Sequence, residues 1–293
     1  MPSLKDVKMQ ITGVKKTSQI TKAMNMVSAA KLRGAQTKME AFRPYAGKFN
    51  EALRNISANM KSSQFALMQA REVKTVEILV VTSDRGLCGS FNTNIIRMSE
   101  RLMKKYEAEG KKVSLVCVGK KANRYFRKTG KIRAHYIDIM GNFQMFNARA
   151  IAQDVAANFI AGGADEVQLV YGSFISVARQ TPTTLHFLPV KSVDTGEEAN
   201  TAKSGQTGAY IYEPSPEEIM DVLLPLYTNV MVYNAMLEVG ASEHAARMTA
   251  MDNATKACKD IIHNLTMVYN KARQAAITGE LMDIVGGAEA LKG

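Results

Sequence analysis

The residue types that carry most enzyme chemistry are present in this chain but are not gathered into a site. The four histidines, His135, His186, His244 and His263, fall in separate segments with no i, i+4 partner and no HExxH pattern. Neither a metal centre nor a paired general base is indicated. The three cysteines, Cys88, Cys117 and Cys258, lie far apart without a CxxC pair. That spacing argues against zinc and against a disulfide framework, and fits a reducing compartment. Gly86-Leu87-Cys88-Gly89-Ser90 stands between a strand-like and a helix-like stretch. It could cradle a phosphate with backbone donors, and Cys88 at the helix start could be a mildly acidic thiol. The run lacks the GxGxxG spacing, however, and reads better as a tight strand-to-helix turn. Gly13-Val14-Lys15-Lys16-Thr17 lacks the GxxxxGK(S/T) frame and lies on a helical stripe rather than after a strand. No catalytic, cofactor-binding or metal-binding residue is expected.

The elements around these residues are more informative. Ser3 and Asp6 form a capping-box pattern, followed by apolar residues at Leu4, Val7, Ile11 and Val14. After a phase slip the stripe resumes at Ile20, Met24 and Val27, and helical composition continues to about residue 58, with a kink expected at Pro44. Ser215-Pro216-Glu217-Glu218 starts a second long helix, which Pro225 should bend. Beyond it Met251, Ala254, Cys258, Ile261, Leu265, Val268, Ala272 and Ala275 alternate by three and four, the spacing of a coiled-coil seam. Between the ends, strands at 76–82, 113–118, 166–173 and 185–190 alternate with helices at 94–109, 120–128 and 144–161, which is an α/β pattern. Residues 194–209 are polar and glycine-rich, hence a loop.

The fold class expected is an α/β domain inserted between two long terminal helices that form an antiparallel coiled coil. The segments are 1–60, 61–209 and 210–293. Because the insertion holds both helices at one end, facing residue numbers should sum to about 275, placing Leu4 opposite residue 271. The last twenty or so residues then have no partner in the chain, and an apolar helix left bare in water needs a socket elsewhere.

Charge agrees with paired ends. The formal charge is +11, with +8 over residues 1–60, +8 over 61–209 and −5 over 210–293. A basic coiled-coil protein that binds nucleic acid is the alternative reading of such a balance. Against it stand the scatter of Lys and Arg over many elements and the absence of Trp. There is no uninterrupted apolar run of about 18 residues, so no membrane span is expected. Met1-Pro2-Ser3-Leu4-Lys5-Asp6 lacks the apolar core of a signal peptide.

The residues 19–32 (QITKAMNMVSAAKL), 246–255 (ARMTAMDNAT), 269–278 (YNKARQAAIT) and 82–89 (TSDRGLCG) resemble the gamma subunit of F-type ATP synthase, and the likeness runs over essentially the whole chain. The resemblance implies a non-catalytic rotor shaft. It would couple ion-driven rotation of a ring of c subunits to conformational cycling of the alpha and beta subunits, in ATP synthesis or, in reverse, in ion pumping. The insertion would be a Rossmann-like foot beside the epsilon subunit. Implied beta-subunit contacts are Lys22, Met24, Arg247, Gln274 and Thr278, with Lys31 adding charge nearby. Tyr210, Tyr212 and Glu213 would touch epsilon and the c-ring. Ala275, Ala276, Ile277, Leu281, Ile284 and Val285, with Gly286 and Gly287, would form a smooth tip turning inside the alpha/beta hexamer. The family usually has glutamine where this chain has Gly279, which removes one hydrogen bond to beta. The implied partners are alpha, beta, epsilon and the c-ring, with no nucleic acid and no cofactor. Attachment to the cytoplasmic face of the bacterial inner membrane would be peripheral, through the Fo sector. The cysteine insertion behind the redox switch of chloroplast members is absent.

Overall fold

Ser3 and Asp6 cap each other: the Asp6 N–H donates to Ser3 Oγ at 3.2 Å, and Ser3 Oγ and N donate back to Asp6 Oδ2 at 2.7 and 3.2 Å. From this box α1 runs from Leu4 to Ser57. At the other end Ser215 Oγ accepts from the Glu218 N–H at 3.2 Å, Pro216 occupies the first helical position, and α5 runs from Pro216 to Ala290. Both helices are continuous through the prolines expected to kink and bend them, Pro44 and Pro225. The computed structural model describes residues 3–57, 64–190, 213 and 215–290, so the expected segment boundaries at 60/61 and 209/210 and the 194–209 loop lie outside the described residues.

Contacts divide the chain into two bodies, residues 1–30 with 247–293, and residues 31–246. The first body is an antiparallel helix pair. Thr21 Oγ1 lies 2.8 Å from Thr255 Oγ1, and Asn25 Nδ2 donates to the Met248 carbonyl at 2.8 Å, so facing numbers sum to 276 and 273, against the expected 275.

The second body is built on a five-stranded sheet in the order β3-β2-β1-β4-β5. Its strands are β1 (Thr75–Val81), β2 (Lys112–Val118), β3 (Ile132–Tyr136), β4 (Glu166–Phe174) and β5 (Gln180–Leu188). The first four run parallel and β5 returns antiparallel beside β4. Helices α2 (Phe91–Ala108), α3 (Lys120–Phe126) and α4 (Met145–Ile160) make the crossovers. Central strands covered on both faces read as continuous apolar runs, and Val76, Ile78, Leu79, Val80 and Val81 are fully buried. Strand β3 is absent from the expected set because Ile132-Arg133-Ala134-His135-Tyr136 alternates polar and apolar at a sheet edge, with Arg133 and His135 exposed. The strand expected at 185–190 is longer and starts at Gln180.

Within this body the Thr228–Ala246 stretch of α5 is a core helix. Val232, Met236, Val239 and Ala241 are fully buried, and the hydrophobic core joins Leu53 and Ile56 of α1 to the sheet. By length and composition α5 could cross a membrane, but its most apolar window is 56% buried inside the fold, as a core helix requires.

Candidate functional site

The loop after β1 is the first place to look for chemistry, since ligands in parallel sheets bind at the strand ends where the order reverses. Here the fold uses those groups itself. Asp84 accepts the Lys120 and Asp138 N–H groups with Oδ1, at 2.9 and 3.1 Å, and the Met140 N–H with Oδ2 at 2.9 Å. It ties three loops together. Asn92 receives the Ser83 N–H at 3.0 Å and donates to Ser83 Oγ and to Cys88 Sγ at 2.8 and 3.0 Å. Cys88 is buried in that network rather than presented as a reactive thiol. Gly172, near the end of β4, is approached so closely by the Phe91 ring that a Cβ would collide with it. Ser242 of α5 donates to the Gly172 carbonyl at 3.2 Å. The Gly86–Ser90 turn therefore serves packing. Among the described residues there is no cluster of three or more His, Cys, Asp or Glu able to hold a metal ion.

A different surface stands out on the helix pair. Along α1 the inward residues are Leu4, Val7, Ile11, Val14, Ser18, Thr21, Asn25 and Ser28, an unbroken alternation of three and four. The expected phase slip does not occur. From Ser18 to Ser28 the seam is filled by small polar residues, each able to bond its own helix or the facing one: Ser28 Oγ donates to the Met24 carbonyl at 2.7 Å and Thr255 Oγ1 to Met251 at 2.8 Å. Three apolar residues of this stretch point outward, with Ile20 and Met26 each 61% exposed and Val27 56% exposed, while Met24 is half-buried.

The seam of α5 needs a similar correction. Met251, Cys258, Leu265 and Ala272 face α1 as expected, but the alternate positions are Thr255, Ile262 and Tyr269. Ile261 and Val268 instead face solvent, 46% and 48% exposed, and Ala275 is exposed beyond the end of the pairing. A three-then-four and a four-then-three spacing share every seventh residue, and only the side on which α1 lies distinguishes them.

Beyond Ala272 every described residue of α5 is exposed. Ile277, Leu281, Ile284 and Val285 are 50–69% exposed and stand at helical spacing on one stripe, with Ala275 and Ala276 exposed beside them. Gln274 and Thr278 are exposed on the same segment, and Thr278 Oγ1 donates to the Gln274 carbonyl at 2.9 Å. Gly279, Gly286 and Gly287 have open space where a Cβ would stand.

Lys22 is exposed and Met24 half-buried, while Arg247 is buried. The Asn25–Met248 bond puts Met24 and Arg247 each one residue from the same cross-helix contact. Gln274 and Thr278 lie about 40 Å farther along α5, at 1.5 Å per residue, so the expected contacts form two groups. Glu213 is exposed; Tyr210 and Tyr212 lie outside the described residues. Sequence reasoning missed Thr21, Asn25 and Thr255. Extending the Leu4–Val14 heptad through polar residues would have found them.

These features define a class: a helix pair whose apolar end is unpartnered among the described residues, continuous with an α/β body that spends its own ligand-binding edge on packing. The chain matches the ATP synthase family over residues 3–291. It is 64% identical to the ATP synthase gamma chain of Desulfotalea psychrophila and 52% identical to that of Nitratidesulfovibrio vulgaris, each over the full length of both chains. A chain of the central stalk and c-ring of Tetrahymena thermophila mitochondrial ATP synthase is 28% identical, with a TM-score of 0.61 over 80% of this chain and 99% of that one. A chain from the Euglena gracilis mitochondrial enzyme in its third rotational state has a TM-score of 0.68 over 98% and 94%; at 22% identity it speaks for the fold. The chain belongs to the ATP synthase gamma-chain family.

Proposed function

We propose that this chain is the rotor shaft of an F-type ATP synthase, turned by the c-ring and turning inside the hexamer of alpha and beta subunits. It catalyses nothing itself. The observation that carries this reading is the bare helix from residue 273 to residue 290, whose apolar stripe has no cover among the described residues. Such a stripe demands a partner, and a bearing inside a hexamer is a partner that also allows rotation. A helix pair in which one member outruns the other has no rotational symmetry. It therefore contacts three identical catalytic sites differently, and only differential contact can bias their conformations in turn.

In this reading Lys22, Met24 and Arg247 meet the beta subunits at one level, and Gln274 and Thr278 at another. Ala275, Ala276, Ile277, Leu281, Ile284 and Val285 sit in the hexamer bearing. Tyr210, Tyr212 and Glu213 face epsilon and the c-ring, and the chain reaches the cytoplasmic face of a bacterial inner membrane only through the Fo sector.

The test is reconstitution with alpha and beta subunits, with and without residues 272–293. The full chain should copurify with the hexamer and support coupled ATPase activity. The truncated chain should keep a folded sheet body but lose torque and assembly stability. Unchanged assembly and coupling after truncation would overturn the seated tip. Met24→Lys, which adds charge at the first contact level, should weaken coupling; normal ion-driven synthesis in that variant would remove the contact.

A further inference from the structure

The core stretch of α5 carries a carboxylate where a shaft must be joined to its foot. Glu238 is 5% exposed, and a buried charge is tolerated only when it is paired and hydrogen-bonded. Its partners come from different elements. Arg43 of α1 donates Nε and Nη2 to Glu238 Oε1 at 3.1 and 2.9 Å. The Phe174 N–H, at the end of β4, donates to Glu238 Oε2 at 2.7 Å, and Ser173 Oγ reaches the same oxygen at 3.5 Å. Arg43 Nη2 also donates to the Phe174 carbonyl at 3.0 Å, closing a ring over α1, α5 and β4. One turn further on, Ser242 holds the Gly172 carbonyl at 3.2 Å. Phe42 of α1 meets Tyr233 of α5 edge-on at 4.9 Å, and Phe143 meets Tyr233 at 5.9 Å. Burial, with the Glu238 carboxylate nearby, pushes the Tyr171 phenol up.

We propose that Glu238, with Arg43, is the positioning residue that locks both long helices to the sheet, so that the foot and the helices turn together under load. The proposal rests on the rotor reading. Apolar packing alone resists separation but lets surfaces slide, because it has no preferred direction. The Arg43–Glu238–Phe174 ring fixes direction: charge-assisted hydrogen bonds converge on one carboxylate from a helix and from a strand end. Sliding α5 along β4 would strip a buried charge of its partners. The joint therefore adds resistance to shear, the load that rotation places on it.

The experiment uses the assembled complex with the hexamer fixed and a bead on Ala150→Cys, an exposed position on α4; the three native cysteines are buried. Angular fluctuation of the bead is measured in the stalled motor, together with ATP hydrolysis and ions pumped per ATP. Glu238→Ala should widen the fluctuation and lower pumping per ATP while unloaded hydrolysis holds. Since charged hydrogen bonds are roughly twice as strong as neutral ones, Glu238→Gln should show about half of that loss. Arg43→Lys, which keeps charge without the fork, should fall between wild type and Glu238→Ala. If Glu238→Ala does not assemble, Arg43→Met and Ser242→Ala carry the same test with smaller widening. A joint that matters only for folding would lower the yield of complex and leave the fluctuation of assembled molecules unchanged; that result overturns the proposal. A wild-type bead that fails to turn with ATP would overturn the rotor reading instead.

Discussion

In the sheet body, β1 places Val76, Ile78, Leu79, Val80 and Val81 wholly out of water, and the single carboxylate in that strand, Glu77, is buried with them. Arg133 reaches it at 2.5 Å through Nε and holds Asp154 at 2.9 Å through Nη2. In the helix pair, the inward row from Ser18 to Ser28 is hydroxyls and an amide, and the aliphatic side chains face outward. The strand encloses its apolar residues and its one charge. The Ser18–Ser28 stretch keeps hydrogen bonds inside and offers Ile20, Met26 and Val27 outside. In the rotor reading the contrast follows from what each must touch: β1 is covered by its own fold, whereas the outward face of the helix pair is left for the subunits proposed to surround it.

The largest test of this contrast is Arg133→Met. It leaves the buried Glu77 carboxylate with the Asn158 amide, which donates at 3.2 Å, but without its charged partner, and breaking such a pair from one side costs about 3–5 kcal/mol. The denaturant midpoint of the sheet body should fall accordingly, and adding Glu77→Leu should recover most of the loss. No polar substitution in the helix seam should cost as much. Next in size is a pair of neighbours. Ile262→Ala removes half-buried seam surface and should destabilise the helix pair by about 1–2 kcal/mol, a fraction of the value for a fully buried side chain. Ile261→Ala should leave the helix pair unchanged and weaken binding to the alpha/beta hexamer. Equal effects at the two positions, read by thermal unfolding and by copurification, would refute the corrected seam. Smaller still is Thr21→Val with Thr255→Val. Removing both partners of a hydrogen bond together should stay within about 1 kcal/mol of neutral.

The architecture was legible because length and periodicity carry it. The Ser3–Asp6 box, Ser215-Pro216, and the strand runs around residues 76, 113 and 166 mark element starts and buried strands directly. Register was legible too, since an insertion between two helices leaves one antiparallel solution. The facing side of each helix was not. Ile20 and Val27, or Ile261 and Val268, are as apolar as core residues, and a rule that apolar means inward assigns them to the seam. Their outward placement follows from the side on which the facing helix lies, which single-helix periodicity does not carry. Glu77, Glu238 and Arg43 were invisible for a related reason: their partners are 56 to 195 residues away in sequence, and no local pattern announces them.

The smallest predicted effect is a pH profile peculiar to the sheet body. Hydrogen bonding from Arg133, against a smaller opposing effect of burial, holds the Asp154 carboxyl below its ordinary value of 3.8. Its contribution is present above that value and lost as pH falls through the lowered folded pKa. Glu77 runs the other way. Burial, partly offset by Arg133, lifts its carboxyl above the ordinary 4.5. A raised carboxyl binds its proton more tightly in the folded state, so its contribution is complete below 4.5 and fades as pH rises through the folded value. Together the two predict a shallow stability maximum near about pH 4 for this cluster. Glu77→Gln should remove the decline on the alkaline side, and Asp154→Asn the decline on the acid side, in denaturant titrations across the range. The helix pair has no buried carboxylate cluster among its described residues, so its own transition should show neither slope. A Glu77→Gln profile superimposable on wild type would mean that Arg133 fully balances burial and that the carboxylate ionises as an exposed one does.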